Sequence, residues 1–268
     1  MTGFDLGPAI LFCPADRPER YAKAAQLADA VILDHEDAVA PHDKAAARQA
    51  LVAHPLDPAR TIVRINHAGA DDHELDLDAL SSTGYRMVML AKASGAGDLD
   101  RLGDYQVIAL CETARGVVNA AEIAAADCVV ALMWGAEDLV ASLGGTSSRH
   151  PDGRYRDVAV QARAAVLLAA GAHGTAAIDT VHLDIADTEG LATEARDAAA
   201  SGFTATACIH PGQVATIRSA YAPSDDELEY ARAVIASAEG QRGVFAFRGR
   251  MVDEPLLALA RRTVWRAG

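Results

Sequence analysis

The stretch AILFCPADRPERYAKAAQLADAVILDHEDAV, residues 9–39, decides the reading of the fold. It opens on a short apolar run, AILFC (9–13), passes through RPERYAKAAQLAD with the composition and spacing of a helix, and returns to a second apolar run, AVILD (30–34). Strand, helix and strand in that order read as a parallel pair joined by a crossover. The turn after the first run, CPADRPE, contains no glycine. A dinucleotide-binding open sheet would carry a glycine-rich turn there, so that architecture is disfavoured. The second run ends on Asp34, His35, Glu36 and Asp37, charges that are seldom set against a core without a partner or a purpose.

The alternation continues through TIVRI (61–65), RMVML (86–90), QVIALCE (106–112), CVVALMW (128–134), AIDTVHLD (177–184) and TATACIH (204–210). Helical patterns such as EGLATEARDAAASG lie between, and Gly202 stands where a helix C-cap is expected. Eight strands alternating with helices imply a parallel sheet covered on both faces. Over that length the pattern predicts a (β/α)8 TIM barrel. The tail adds SDDELEYARAVIASAEG, GVFAFRGRMVD and EPLLALARRTVWR, more than a barrel needs. The predicted organisation is a catalytic barrel over 1–220 and a lid or oligomerisation extension over 221–268.

Composition narrows the function. The 268 residues are 51% hydrophobic and 23% charged, ordinary for a globular protein. With 24 basic against 37 acidic residues, the net charge of −13 disfavours nucleic acid or an anionic membrane as partner. A few local arginines can still hold a small anion. Cys13, Cys111, Cys128 and Cys208 form no C-x-x-C pair and sit in or beside apolar runs, so buried reduced thiols are expected. The opening twenty residues lack a basic region followed by a long apolar core, and no apolar run approaches the ~20 residues of a membrane span. A cytoplasmic protein is expected.

Barrel active sites lie at the C-terminal ends of the strands. There this chain carries Cys13–Arg17, Asp34–Asp37, Arg64 and Asn66, Lys92, Glu112 and Arg115, Glu137 and Asp138, Asp184 and His210. Loop residues are polar in any protein, but Arg64 and Glu112 lie inside or at the tip of apolar runs, where solvation does not explain them. Carboxylates converging without a cysteine or histidine ligand pair suggest a hard cation such as Mg²⁺. Glu112 and Asp138 come from neighbouring strands and could meet at one ion. Asp138 could equally be favourable charge in the first turn of a helix. Strand alternation turns Asp34 and Glu36 one way and His35 the other, predicting a packed, hydrogen-bonded His35 between barrel and helix. His42, His54, His67 and His73 read as solvated, and His182 as a structural residue of the seventh strand. SLGGTSSR (142–149) is a weak candidate phosphate nest.

FCPADRPERYAKAA, VILDHEDAV, VRIN, ALCETARGV, MWGAEDL and ACIHPGQV follow one another in an order and spacing that resembles the HpcH/HpaI aldolase/citrate lyase superfamily, over about 9–255. Within it the chain is similar to stand-alone citrate lyase β-like proteins. The resemblance implies a Mg²⁺-dependent carbon–carbon lyase acting on a 3-hydroxyacyl-CoA thioester, with an acyl-CoA and a 2-oxo acid such as oxaloacetate as the other partners. It makes Glu112 and Asp138 the Mg²⁺ ligands and places Arg64 beside the substrate carboxylate or thioester oxygen. Arg17 becomes a coenzyme A contact, and Gly135 and Ala136 bind substrate. Glu36 and Asp37 join the catalytic group, holding Arg64 or a water beside the ion. Asp253 matches an aspartate that related malyl- and citramalyl-CoA lyases supply from a neighbouring subunit's lid, which implies a homotrimer. His210 shapes the site. The family commonly reads LDLED or a similar motif at strand 2, so His35 is a departure. A coenzyme-A-independent pyruvate aldolase and a non-catalytic binding protein are the competing readings, and the identity of the thioester and of its carrier stays open.

Overall fold

The computed structural model describes residues 4–241 and 243–267. Strands β1 (Ala9–Pro14), β2 (Ala30–Asp34), β3 (Thr61–Ile65), β4 (Met87–Leu90), β5 (Gln106–Cys111), β6 (Val129–Trp134), β7 (Ala176–Asp179) and β8 (Ala205–Cys208) pair in sequence order, and β8 pairs with β1. The result is a closed, all-parallel, eight-stranded barrel, as expected. Every residue of β2, β3, β4, β7 and β8 is buried, because the sheet faces its own interior on one side and helices on the other.

Strand alternation divides those two sides. Ile10, Ala30, Ile32, Ile62, Met87, Met89, Ile108, Leu110, Ala131, Met133, Ala176, Ile178, Ala205 and Ala207 form one interior cluster with Phe4. Emptying one such position, as in Ile32→Ala, costs about 2–5 kcal/mol. The same alternation then sets the site. Asp34 continues the series Ala30 and Ile32, Arg64 continues Ile62, and Glu112 continues Ile108 and Leu110. The apolar filling thus gives way to charge at the C-terminal mouth. In the β2–β3 register Asp34 lies opposite Arg64.

Two strands stop earlier than the sequence suggests. AIDTVHLD reads as one long strand, yet β7 ends at Asp179. The buried Asp179 carboxylate accepts from Trp134 Nε1 (2.6 Å) and from Arg163 Nε and Nη2 (3.1 and 2.8 Å), and its Oδ1 also takes the Thr180 N–H (3.0 Å). The chain leaves the sheet there, so His182 belongs to the following loop, its Nδ1 2.8 Å from Glu194 Oε2. His210, beyond β8, is exposed and caps the Pro211–Gln213 turn. His73, expected in solvent, is buried with Nδ1 2.8 Å from the Asn66 carbonyl oxygen. Asp76 beside it accepts from Asn66 N–H (3.0 Å), Asn66 Nδ2 (2.6 Å) and Arg48 Nε (2.8 Å), a polar network that no hydrophobic pattern reveals. Gly202 ends the Thr188–Ser201 helix in the left-handed region, φ 114°, as a C-cap should. Cys13, Cys111 and Cys208 are buried, Cys128 is half-buried, and none of the four is in a disulfide among the described residues.

The chain divides into two compact units, one ending at Ile217 and the other beginning at Arg218. In the second unit, Ser224 and Glu227 form a capping box at the head of the Asp225–Ala238 helix. The apolar stretch with glycines becomes a hairpin, β9 (Phe245–Phe247) with β10 (Arg250–Val252). Its two turn residues, Arg248 (φ 45°) and Gly249 (φ 76°), have the paired positive φ angles of a type I′ turn. Asp253 caps the Glu254–Arg266 helix by accepting from the Leu256 N–H (3.2 Å). Ala231, Val234, Val252, Leu257 and Ala260 form this unit's own core, while Trp265 is 58% exposed. Among the described residues no helix is long and apolar enough to cross a membrane.

Candidate active site

The mouth of the barrel is organised around a buried ion pair. Arg64 Nε and Nη2 donate to the two oxygens of Asp34 at 2.7 and 2.6 Å, a bidentate fork that fixes the guanidinium plane. Nη1 lies 3.1 Å from Glu36 Oε2, and the guanidinium carbon stands 5.0 Å from the centre of the Phe12 ring. Burial works against the Arg64 charge, but Asp34, Glu36 and Glu112 outweigh it, so Arg64 is held protonated more firmly than a free arginine. The Glu36 N–H donates back to Asp34 Oδ1 (2.9 Å), which locks the turn leaving β2.

Glu112, at the tip of β5, is 2% exposed. Burial, then the Asp138 charge, push its carboxyl up to about 8, against the opposing pull of Arg64 and Lys92. Its Oε1 accepts the Lys92 N–H at 3.1 Å. Lys92 follows β4 in the left-handed region, φ 52°, a conformation that costs a non-glycine residue about 1–2 kcal/mol. That turn aims its ammonium at Glu36, at Asp37 (3.0 Å) and at Asp138 Oδ1 (3.5 Å). Burial opposes the Lys92 charge, yet the carboxylates win and raise its pKa. Asp37 is also partly buried, but Lys92 and Arg64 hold it below the usual carboxylate range. Glu36 is pushed the other way, because its burial exceeds the help of Arg64 and Lys92.

Asp34, Asp37, Arg64, Glu112, Gly135, Ala136 and Asp138 line one cleft of roughly 390 Å³, with Phe12, Leu110, Met133 and Val181 as apolar wall. Of the residues singled out from sequence, Arg115, Asp184 and His210 are exposed and do not line it. The Arg17 side chain is 49% exposed, 3.9 Å from Asp16. Asp253 lies in the second unit. Sequence reasoning gives Lys92 no role, and only its place after the apolar run RMVML points to it. Ser147 and Ser148 of the SLGGTSSR stretch turn to their own chain, Ser147 Oγ donating to the Arg149 carbonyl (3.0 Å) and Ser148 Oγ to Glu137. His35 is buried as expected, but neither ring nitrogen has a hydrogen-bond partner among the described residues. Burial lowers its pKa and keeps the ring neutral.

The donor set suits Mg²⁺. Among the described residues no group of three or more His, Cys, Asp or Glu side chains could hold a metal ion. The cleft offers the pair Glu112 and Asp138, oxygen donors only. Mg²⁺ is commonly held by one or two carboxylates, with substrate and water oxygens completing the octahedron. Gly135 makes room for the first of them: a Cβ added there would stand 2.9 Å from both Glu112 Cβ and Glu112 Oε2. Gly135→Ala should therefore displace the Glu112 carboxylate and weaken Mg²⁺ binding at least about tenfold, a loss near 1.4 kcal/mol, read by calorimetric titration. Unchanged affinity would remove Glu112 from the ligand set.

A profile of the HpcH/HpaI aldolase/citrate lyase family matches residues 9–211. A citrate lyase subunit β-like protein of Mycobacterium tuberculosis is 59% identical, the alignment covering 98% of this chain and 96% of the relative. A crystal structure of CitE from the same organism, in complex with magnesium, acetoacetate and coenzyme A, superposes with a TM-score of 0.94 over 98% of this chain and 99% of that one. The mitochondrial citramalyl-CoA lyase of Mus musculus is 30% identical over 96% of this chain and 84% of its own length.

Proposed function

The chain belongs to the HpcH/HpaI aldolase/citrate lyase family, and on that premise we propose that it is a Mg²⁺-dependent carbon–carbon lyase of 3-hydroxyacyl-CoA thioesters. Citryl-, malyl- and citramalyl-CoA are the substrates of this class, and an acyl-CoA and a 2-oxo acid are the products. One observation carries the reading: Arg64, Glu112 and Asp138 face the same cleft, a fixed cation beside two carboxylates.

When bound by Glu112 and Asp138, Mg²⁺ supplies a Lewis acid that orients the 3-hydroxyl with its neighbouring carboxylate and makes the hydroxyl more acidic. The chain's own residues do the rest. As the bond between C2 and C3 breaks, the 3-hydroxyl releases its proton to solvent and becomes the carbonyl of the 2-oxo acid, while the electron pair of the broken bond passes toward the thioester carbonyl, where negative charge develops on oxygen. Arg64, already aligned by Asp34, meets that oxygen with charge-assisted hydrogen bonds and has no reorganisation left to make. Glu36 and Asp37 hold Arg64 and Lys92 in place around it. Gly135 and Ala136 form the wall against which the substrate carboxylate rests. Arg17, free to extend from its exposed position, reaches the coenzyme A phosphates.

Protonation of the acetyl methyl carbon, or its deprotonation in the reverse direction, falls to Asp253 of a neighbouring subunit. The segment over 221–268 then serves as lid and assembly arm, and the working form is a cytoplasmic homotrimer. Asp253→Ala should cut turnover about 10²–10⁴-fold while oxaloacetate binding stays nearly intact. Loss of binding in step with turnover would remove Asp253 from the proton transfer. The reaction itself is tested by incubating the protein with Mg²⁺ and a panel of 3-hydroxyacyl-CoA esters and assaying the 2-oxo acid. Turnover of free hydroxy-oxo acids without coenzyme A would replace the thioester substrate, and no turnover of either kind would sink the enzyme reading.

A further inference from the structure

Lys92 touches both proposed metal ligands at once. Its N–H donates to Glu112 Oε1 at 3.1 Å, and its Nζ stands 3.5 Å from Asp138 Oδ1. The left-handed backbone at Lys92, φ 52°, makes the double contact possible, because it turns the amide toward β5 and the side chain across the mouth. Backbone strain at a non-glycine residue persists where the surroundings over-determine it, and such positions gather at functional sites. Among the described residues Arg248 is the other one, and a hairpin turn accounts for it.

The contacts of the ammonium are graded. Glu36 lies nearest, Asp37 follows at 3.0 Å, and Asp138 is the most distant at 3.5 Å. The weakest hold is therefore on the residue that Mg²⁺ needs. A dication about 2.0–2.1 Å from a carboxylate oxygen repels an ammonium drawn to the same group. A lysine, a point charge on a four-carbon stem, can retreat along its rotamers toward the other two acids.

We infer that Lys92 is the positioning residue of the metal centre: it fixes Glu112 through its N–H, and its ammonium competes with Mg²⁺ for Asp138 and withdraws onto Glu36 and Asp37 when the ion binds. This rests on Glu112 and Asp138 being the Mg²⁺ ligands. A purely structural lysine would instead favour metal binding by keeping the ligands ordered, so the two roles differ in sign.

Calorimetric titration with Mg²⁺ alone separates them. Lys92→Met keeps the N–H and the side-chain bulk but removes the charge, and it should bind Mg²⁺ about tenfold more tightly than the parent. Lys92→Arg keeps the charge and should stay within about threefold of the parent. Equal or weaker binding by Lys92→Met overturns the competition. Glu112→Ala belongs in the same series: if it retains Mg²⁺ affinity, the ligand assignment fails, whatever Lys92 does. The unmutated protein gives a second readout that does not depend on any variant folding. Acetylation of Lys92, followed by mass spectrometry, should run several-fold faster with Mg²⁺ than without, since the displaced amine has one acid fewer holding it. No acceleration overturns the inference as well.

Discussion

Glu112→Ala is expected to abolish Mg²⁺ binding and to lower turnover by about 10³-fold or more, since the ion supplies several kcal/mol of charge stabilisation and each 1.4 kcal/mol is a factor of ten. The fold should survive. The side chain lies at the strand tip, beyond the apolar layers of the barrel, and its charged form is the one that burial disfavours, as its rise to about 8 records. The rise fixes a pH dependence. A ligand carboxyl must lose its proton to bind metal, so below about pH 8 each Mg²⁺ ion that binds expels a proton and apparent affinity climbs with pH. Above that value the carboxylate is ionised beforehand and the dependence flattens. Titrations in two buffers of different ionisation enthalpy count the proton directly. Pair them with Glu112→Ala: retained, pH-independent Mg²⁺ affinity would place the ion elsewhere.

The second large effect concerns the buried pair of Asp34 and Arg64. Asp34→Ala leaves the buried Arg64 guanidinium with Glu36 as its remaining close acid, and breaking a buried pair in this way costs about 3–5 kcal/mol. Turnover should fall about 10²–10³-fold at the same time, because Arg64 loses the fork that aims it. The double variant Asp34→Ala, Arg64→Met removes the orphaned charge as well. It should recover most of the lost stability and none of the activity. Denaturant melts and a double-mutant cycle check both halves. If the single variant is as stable as the parent, the pair is not what organises the mouth.

Much of the barrel and its mouth is legible in the amino-acid sequence. The strands alternate so strictly that Asp34, Arg64 and Glu112 fall in phase with Ile32, Ile62 and Leu110, and phase alone points them inward. The helical caps are equally readable where glycine marks them, as at Gly202. What stays hidden is whatever depends on a side chain reaching across the sequence. AIDTVHLD looks like eight residues of strand, and its early end is set by Trp134 and Arg163 converging on Asp179 from 45 and 16 positions away. The helix DHELDLDALS looks like a surface, yet its His73 and Asp76 are buried because Asn66 and Arg48 satisfy them. Lys92 is legible only as a polar residue at a strand end, for a related reason: its contacts follow from a φ angle of 52°, and nothing in the letters MLAKA announces one. His35 is buried as its strand phase requires, while the hydrogen bond expected of it has no counterpart among the described residues.

The two tryptophans offer a use that the chemistry does not exhaust. Trp134 is fully buried, hydrogen-bonded to Asp179 and next in sequence to Gly135 of the cleft, whereas Trp265 stands largely in water on the last helix. An indole in a dry, fixed setting emits toward the blue and is shielded from iodide, and one in water emits toward the red and is readily quenched. The molecule therefore carries a separate optical label in each of its two units, without dye or mutation. Iodide quenching resolved by wavelength can follow the barrel and the tail independently, and show whether they unfold together or in turn.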